Sequence, residues 1–434
     1  MTGNRMAYPL LISLANIDMS FRMKNSNHAF LLLALLPIAT FIHKRTKIRG
    51  VFHNRLTHEC LDFILRPLKI AASIGVMMSD PLGYLRYCFT PLAAYIVDTP
   101  EAQMLSGVGG KTSPVTMAMY KHFGDSFQHK PRTASTTLAQ LHALKLTVDP
   151  YDVEEYIKEA ATFRLNGVHE PFWRDWPLAE PSRFLTPEPL HHWHKQFWDH
   201  DVKWCIKVLG HAEIDFRFSI LQPRVGFRHF KAGISSLKQV TGRDHRDVQR
   251  YLVSIIADAG AKAFVTAIRA LMDFRYLAQS PVIDEPLCRK ISAALLEFHH
   301  SKAAVFAAGA RVGKKNKPIE NWFILKLELL QSVVPSIYHN GAPIQWLADI
   351  TEHAHITDIK DPARAGNNQN YDAQICRHLD RSDKCHRFDL AMVLCEARAQ
   401  LGDMGIDEEE DDCEEDIDDL DDVMKPVSNV VAGT

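Results

Sequence analysis

Between Thr186 and Tyr276 the chain collects His191, His192, His194, His200, His211, His229 and His245 among Trp193, Trp198, Trp204 and many acids and bases. A plain apolar core has no use for that mixture. Imidazoles beside carboxylates are the groups that bind metal ions and move protons. His191 and His194 have H-x-x-H spacing, with Asp199 and His200 close behind, a donor set able to hold a metal. There is no H-E-x-x-H, however, and histidines flanked by aromatics often serve as hydrogen-bonded packing residues, so both readings stand. Asp98 is the second candidate. It closes an apolar approach and precedes Thr99-Pro100. A strand end there would project a metal-binding carboxylate into a cleft, while the same pattern also reads as a helix cap or turn.

Two further stretches invite chemistry. GVGGKTS (107–113) contains Gly-Gly-Lys-Thr, but a phosphate-binding loop needs glycine at position 105, which is Leu105. A nucleotide-hydrolysing loop is excluded. From Gly226 onward Arg228, Lys231, Lys238, Arg243, Arg246 and Arg250 accumulate around a helix expected to start at Gly242, with Val248, Leu252, Ile255 and Ile256 as its apolar face. The bases fall mostly off that face, as they do on a solvated surface or on one that tracks phosphates.

The elements that must position these residues follow from periodicity. Tyr8–Ile17 reads as a buried strand, Phe30–Pro37 as a second buried element, strand or helix, and Thr57–Met78 as a helix broken near Pro67. A turn and strand then lead to Asp98. Residues 136–166 read as two helices, residues 189 onward as helical, and 261–311 as successive helices. One helix is expected over 321–338 and a last one ending near Ala399.

Composition sets the partner class. Residues 407–422 hold 13 acids and no base; up to Ile406 the chain carries 49 Lys and Arg against 39 Asp and Glu. A basic body with an acidic, disordered tail points to a polyanion such as nucleic acid. The eight cysteines form no C-x-x-C pair, which argues against a disulfide framework or zinc ribbon and for reduced thiols. The apolar run 30–42 is too short to span a bilayer and contains Pro37, so no membrane partner is expected.

Several long blocks in order, YPLLISLANI, the RYC-x-x-PLA-x-x-x-x-D-x-PE block ending at Glu101, LHHWHKQFWDHDVKWC, GFRHFKAGISSLKQVTGRDHRDVQRY, RALMDFRYLAQ and TEHAHI…NNQNYDAQICRHLDR, resemble the Plavaka transposases of fungal DNA transposons, relatives of CACTA-type elements. The resemblance runs from about Thr2 to Leu394. It implies a nuclear strand-transferase acting on DNA transposon ends, with an RNase H-like fold and three acids holding two Mg²⁺ ions, no small-molecule cofactor, and a homo-oligomer as a possible assembly. It places Asp98 as the second acid, with Glu188 and His191 in a D-x-L-H-like motif and as metal ligands beside it. The third acid is open among Glu188, Glu213 and Glu352, with Glu188 first. The implied fold class is α/β: an incomplete RNase H-like core (1–105), a linker and helical insertion (106–185), a helical, basic, His/Trp-rich region (186–400) and the acidic tail (401–434). Two departures stand out. The family's first catalytic Asp lies on a strand upstream of the segment at which this chain begins, and its C-P-x-C knuckle corresponds here to Thr112–Val115. The expectation is therefore a truncated chain lacking catalysis. The alternatives are a domesticated nucleic-acid-binding or chromatin-associated protein, and a metal-dependent hydrolase built on the histidines.

Overall fold

The apolar run YPLLI forms strand β1 (Tyr8–Ile12), paired antiparallel with β2 (Leu31–Leu36) so that Tyr8 faces Leu36 and Ile12 faces Leu31. A short helix α1 (Met19–Arg22), capped by Asp18, lies between them. The computed structural model describes residues 7–80, 82–238, 240–367 and 369–403. Both strands are shorter and wetter than the sequence suggests. β1 stops at Ile12, and only Leu10 and Leu36 are fully buried, because a two-stranded sheet has one covered face. That cover includes helix α2 (Thr46–Ile74).

The expected break at Pro67 does not occur. α2 runs through Pro67 without interruption and is followed by an antiparallel hairpin, β3 (Val76–Ser79) and β4 (Leu85–Cys88), which takes up Met77 and Met78. A proline in a helix interior loses one hydrogen bond and crowds the carbonyl four residues back. Here burial on both sides of it, at Leu61, Leu65, Lys69 and Ala71, keeps the helix continuous. The Lys69 ammonium is buried yet paired with Asp62 and Asp175. Every β3 residue, and the first three of β4, are exposed.

Helix α3 (Thr99–Leu105) follows, then α4 (Ala134–Thr147), α5 (Val153–Ala160) and α6 (Pro181–Phe184). Helices α4 and α5 pack a smaller cluster of Leu141, Leu144, Tyr156 and Ala160, while α2, α3 and α6 share one core, with Leu61 and Leu65 of α2, Ala102 and Leu105 of α3, and the aromatic loop residues Phe172 and Trp173 with Phe184 and Leu185. His58 fastens it. Its Nε2 donates to the Met104 carbonyl at 3.1 Å and its Nδ1 accepts from the Phe172 amide at 3.0 Å, tying three elements together at full burial.

The second core is helical. Two π-helical turns, Pro189–His194 and Phe197–Val202, lead into α7 (Lys203–Leu209) and α8 (His211–Ser219). Next come α9 (Gly242–Ile256), α10 (Lys262–Ala278), α11 (Glu285–Ser301) and α12 (Ala303–Ala307). Where one helix is expected at 321–338 there are two, α13 (Leu325–Leu330) and α14 (Val333–Asn340), because Gln331 and Ser332 close a tight turn at the junction. Short helices α15 (Asp349–Ala354) and α16 (Asp361–Ala365) flank a π-turn at His355–Lys360. Trp193, Phe197, Val202, Phe218, Val248, Leu252, Phe264, Phe274, Phe298 and Trp346 interlock at this centre. The apolar face expected for α9 is confirmed by the burial of Val248, Leu252, Ile255 and Ile256.

The chain divides into two units, residues 1–372 and 373–434. What is described of the second lies on α17 (Tyr371–Asp403); the acidic tail falls outside the described residues. The described residues are mostly helical with two small antiparallel sheets. Among the described residues no helix is long and apolar enough to cross a membrane.

Candidate active site

The chain passes from the first core into the second between Leu185 and Trp193, and the acids meet there. Glu188 occupies the N-cap of the first π-helical turn. Its carboxylate accepts from the Leu190 amide at 2.9 Å and from the His191 amide, satisfying N–H groups that a helix start leaves without partners. His191 Nδ1 also donates to Glu188 Oε1 at 2.8 Å, and its Nε2 lies 3.6 Å from Glu352 Oε1 on α15. The imidazole thus bridges a carboxylate that is fully buried and one whose side chain is 56% exposed.

Burial pushes the Glu188 carboxyl up, but the His191 hydrogen bond and the nearby His192 and His191 outweigh it and hold the group below the usual carboxylate range. For His191 burial acts downward. The Glu188 hydrogen bond and charge, with Glu352 and Asp98 behind them, win and raise it above an ordinary histidine. The shifts agree in sign: a buried carboxylate holds a proton on the imidazole beside it.

Asp98 sits within electrostatic reach of this pair rather than in contact. No strand delivers it: Tyr95 makes a single parallel bridge to Leu185, and Asp98 caps α3, accepting from the Glu101 amide at 2.9 Å. Glu213 is elsewhere. It is exposed on α8 and paired with Arg217 at 2.6 Å. Structure therefore brings together Asp98, Glu188, His191 and Glu352, and leaves Glu213 in a surface ion pair.

The histidines that first drew attention are mostly packing groups. His194 Nδ1 meets the buried Arg275 guanidinium, His245 stacks on Trp198 with ring centroids 5.8 Å apart, and His200 lies against Trp204 at 5.6 Å. Burial pushes His192, His200 and His245 each down to about 4, so these rings are neutral. Among the described residues no three His, Cys, Asp or Glu are placed to hold a metal ion. Glu188 Oε1 accepts two hydrogen bonds and Oε2 one, so the carboxylate is turned to its own helix start and to His191. As arranged, the donor set does not fit Mg²⁺.

The expected phosphate-binding bases divide into two groups. Arg228 pairs with Asp244, Arg243 with Asp247 at 3.9 Å, Arg250 with Asp247 at 3.0 Å, and Arg246 with Asp349 at 2.9 Å. These arginines stitch α9 to its flanking loop and to the start of α15. Lys231 and Lys238 are exposed and make no ion pair among the described residues.

Residues 1–205 match the Plavaka transposase family model. The match supports a Plavaka-type, transposase-derived protein and includes Asp98, Glu188 and His191. Glu352 and all six bases lie beyond the Plavaka-matched part. A transposase family suggests a divalent cation and DNA partners. No curated protein and no solved structure matches the chain.

Glu101 is a further acid beside the site that no sequence motif singles out. It stands in the first turn of α3 and receives a hydrogen bond from the Tyr8 hydroxyl on β1, and burial pushes its carboxyl up to about 7. Its cue was present in the Plavaka-matched block. An acid three residues after a capping Asp belongs to a helix start, where both side chains turn toward the same end.

Proposed function

We propose that this chain is a transposase-derived DNA-binding protein whose DNA-processing centre lies at Asp98, Glu188, His191 and Glu352. The observation that carries this reading is the Glu188–His191–Glu352 chain of contacts, 2.8 Å and 3.6 Å. It joins the Plavaka-matched segment to an acid more than a hundred residues downstream, a convergence that surface packing does not require. The roles divide by exposure. Glu188, buried and committed to backbone amides, positions His191; Asp98 and Glu352 are the acids a DNA strand can reach. Glu352 is thus the better third acid. A nuclear location and association into homo-oligomers on DNA ends belong to the same reading, as does RNase H-like ancestry for the β1–β2 sheet. A divalent cation is the family's usual agent for phosphodiester chemistry, and no step is assigned to it here because the donors do not fit one.

A second reading is favoured by a specific observation. Each candidate acid already has a structural partner: Asp98 and Glu188 cap helices, and Glu352 faces His191. This fits a non-catalytic, domesticated DNA binder. Nicking of supercoiled plasmid, followed with and without added Mg²⁺, separates the two. The first reading expects nicking that is lost in both Asp98→Ala and Glu352→Ala; nicking unchanged in these variants would refute the site. Salt-sensitive DNA binding without nicking selects the second reading, and binding that is undetectable at low salt removes both.

A further inference from the structure

We infer that the pocket between the 19–30 segment and α15 receives a backbone phosphate of the DNA strand, immediately beside Glu352. This rests on the DNA reading above. The pocket is lined by Arg22, Lys24, His28, Phe30, His353 and Asp358, among others. Arg22 is 5% exposed. Its guanidinium donates to the Leu14 carbonyl at 3.3 Å, to the Gln345 carbonyl at 2.9 Å and to the Gln345 side-chain oxygen, while its Nε is buried without a partner. Every acceptor it has among the described residues is uncharged. Carbonyls satisfy N–H groups but leave the net charge of the guanidinium uncompensated, and a buried charge ordinarily has a counterion. Among the described residues no carboxylate lies within ion-pair distance of Arg22 or of Lys24, which is exposed at the pocket rim. The Asp358 carboxylate, the acid in the lining, accepts from the Thr357 hydroxyl at 2.7 Å.

The chemistry of the missing counterion follows. Arg and Lys converging on one concavity suit an oxyanion with several acceptor atoms, and the planar guanidinium suits phosphate in particular. Location selects the source. His353 lines the pocket and Glu352, the preceding residue on the same helix, faces His191. Successive residues of a helix point about 100° apart, so α15 presents an acid to one side and a cationic pocket to the other. A strand laid over the acids would place a neighbouring phosphate in the pocket. The pocket fixes register, and base identity is irrelevant to it.

The test uses the full chain with two probes, a short fluorescein-labelled DNA duplex followed by anisotropy across a salt series, and inorganic phosphate followed by thermal shift at constant ionic strength. Arg22→Gln risks misfolding because Arg22 anchors Gln345, so Lys24→Glu carries the test. The expected result is a roughly tenfold loss of duplex affinity in Lys24→Glu, with the slope of log K against log salt shallower by about one, and an unchanged melting temperature. Wild-type duplex binding that Lys24→Glu leaves unaltered in affinity and slope overturns the pocket while sparing the DNA reading. Failure of the wild-type chain to bind the duplex overturns the DNA reading and the strand assignment together. A phosphate-induced shift that persists in that case, and is lost in Lys24→Glu, reassigns the pocket to free phosphate.

Discussion

At the scale of single residues, histidine does three different jobs here, and environment decides which. His191 is held protonated by a buried carboxylate, His194 meets Arg275, and His58 is a neutral rivet. Burial first, with Arg174 adding to it, pushes His58 down to about 4 from 6.5, despite the Met104 carbonyl. Its Nδ1 must accept from the Phe172 amide, so protonation breaks that bond. The linkage sign follows: the folded value is depressed, so the stabilisation is fully present above pH 6.5 and is lost as pH falls toward 4. Urea denaturation across that window is expected to show stability falling by up to about 1.4 kcal/mol per pH unit from this residue. In His58→Gln that part of the slope disappears; an unchanged slope would mean that the ring is not the neutral form. His191 has the opposite sign, stabilising below pH 6.5 and losing its contribution as pH rises through its elevated value. Residue types made the His-rich segment legible as polar chemistry, and spacing suggested a metal. Spacing misled because the segment is wound as π-helix, where hydrogen bonds run from i to i+5 and the faces differ from those of an α-helix.

At the scale of elements, periodicity served helices well and strands poorly. The apolar face of α9 was readable because 3.6-residue spacing survives any tertiary arrangement, and its Thr241–Asp244 capping box marks the start. A continuous apolar run overextends the strands because it says nothing of how many partners a strand finds, and among the described residues β1 and β2 pair with each other alone. Pro67 shows the limit of a local rule. The residue is exposed, so its cost inside α2 is not repaid by its own packing. Pro67→Ala restores a backbone donor to the Phe63 carbonyl and is expected to raise stability by about 1–3 kcal/mol, less what the freer unfolded chain takes back. Chemical denaturation measures it directly; a destabilised variant would show that α2 needs its proline. Which of Glu188, Glu213 and Glu352 lies beside the others was equally out of reach of sequence. Glu188 and Glu352 are brought together by the docking of α15 against the π-helical turn, a contact that no motif encodes.

At the scale of the whole molecule, the basic body expected from composition is only partly free to meet a polyanion. Arg228, Arg243, Arg246 and Arg250 spend charge on Asp244, Asp247 and Asp349. Composition counts charges and cannot see such pairing. Helix α3 shares a core with the loop around Phe172 and Trp173, and residues 1–372 hold together as one unit. The β3–β4 hairpin has a practical consequence of another kind. Met77, Met78, Leu85 and Tyr87 are exposed, and among the described residues the outer edges of both strands are unpaired. Ribbons of this sort seed cross-β stacking between molecules, and nothing in β3 carries the charge that usually discourages it. The concentration at which purified chain begins to cloud is therefore expected to be set by this ribbon rather than by thermal unfolding. Met77→Lys should raise that concentration while leaving the melting temperature where it was, as followed by light scattering and calorimetry on the same samples.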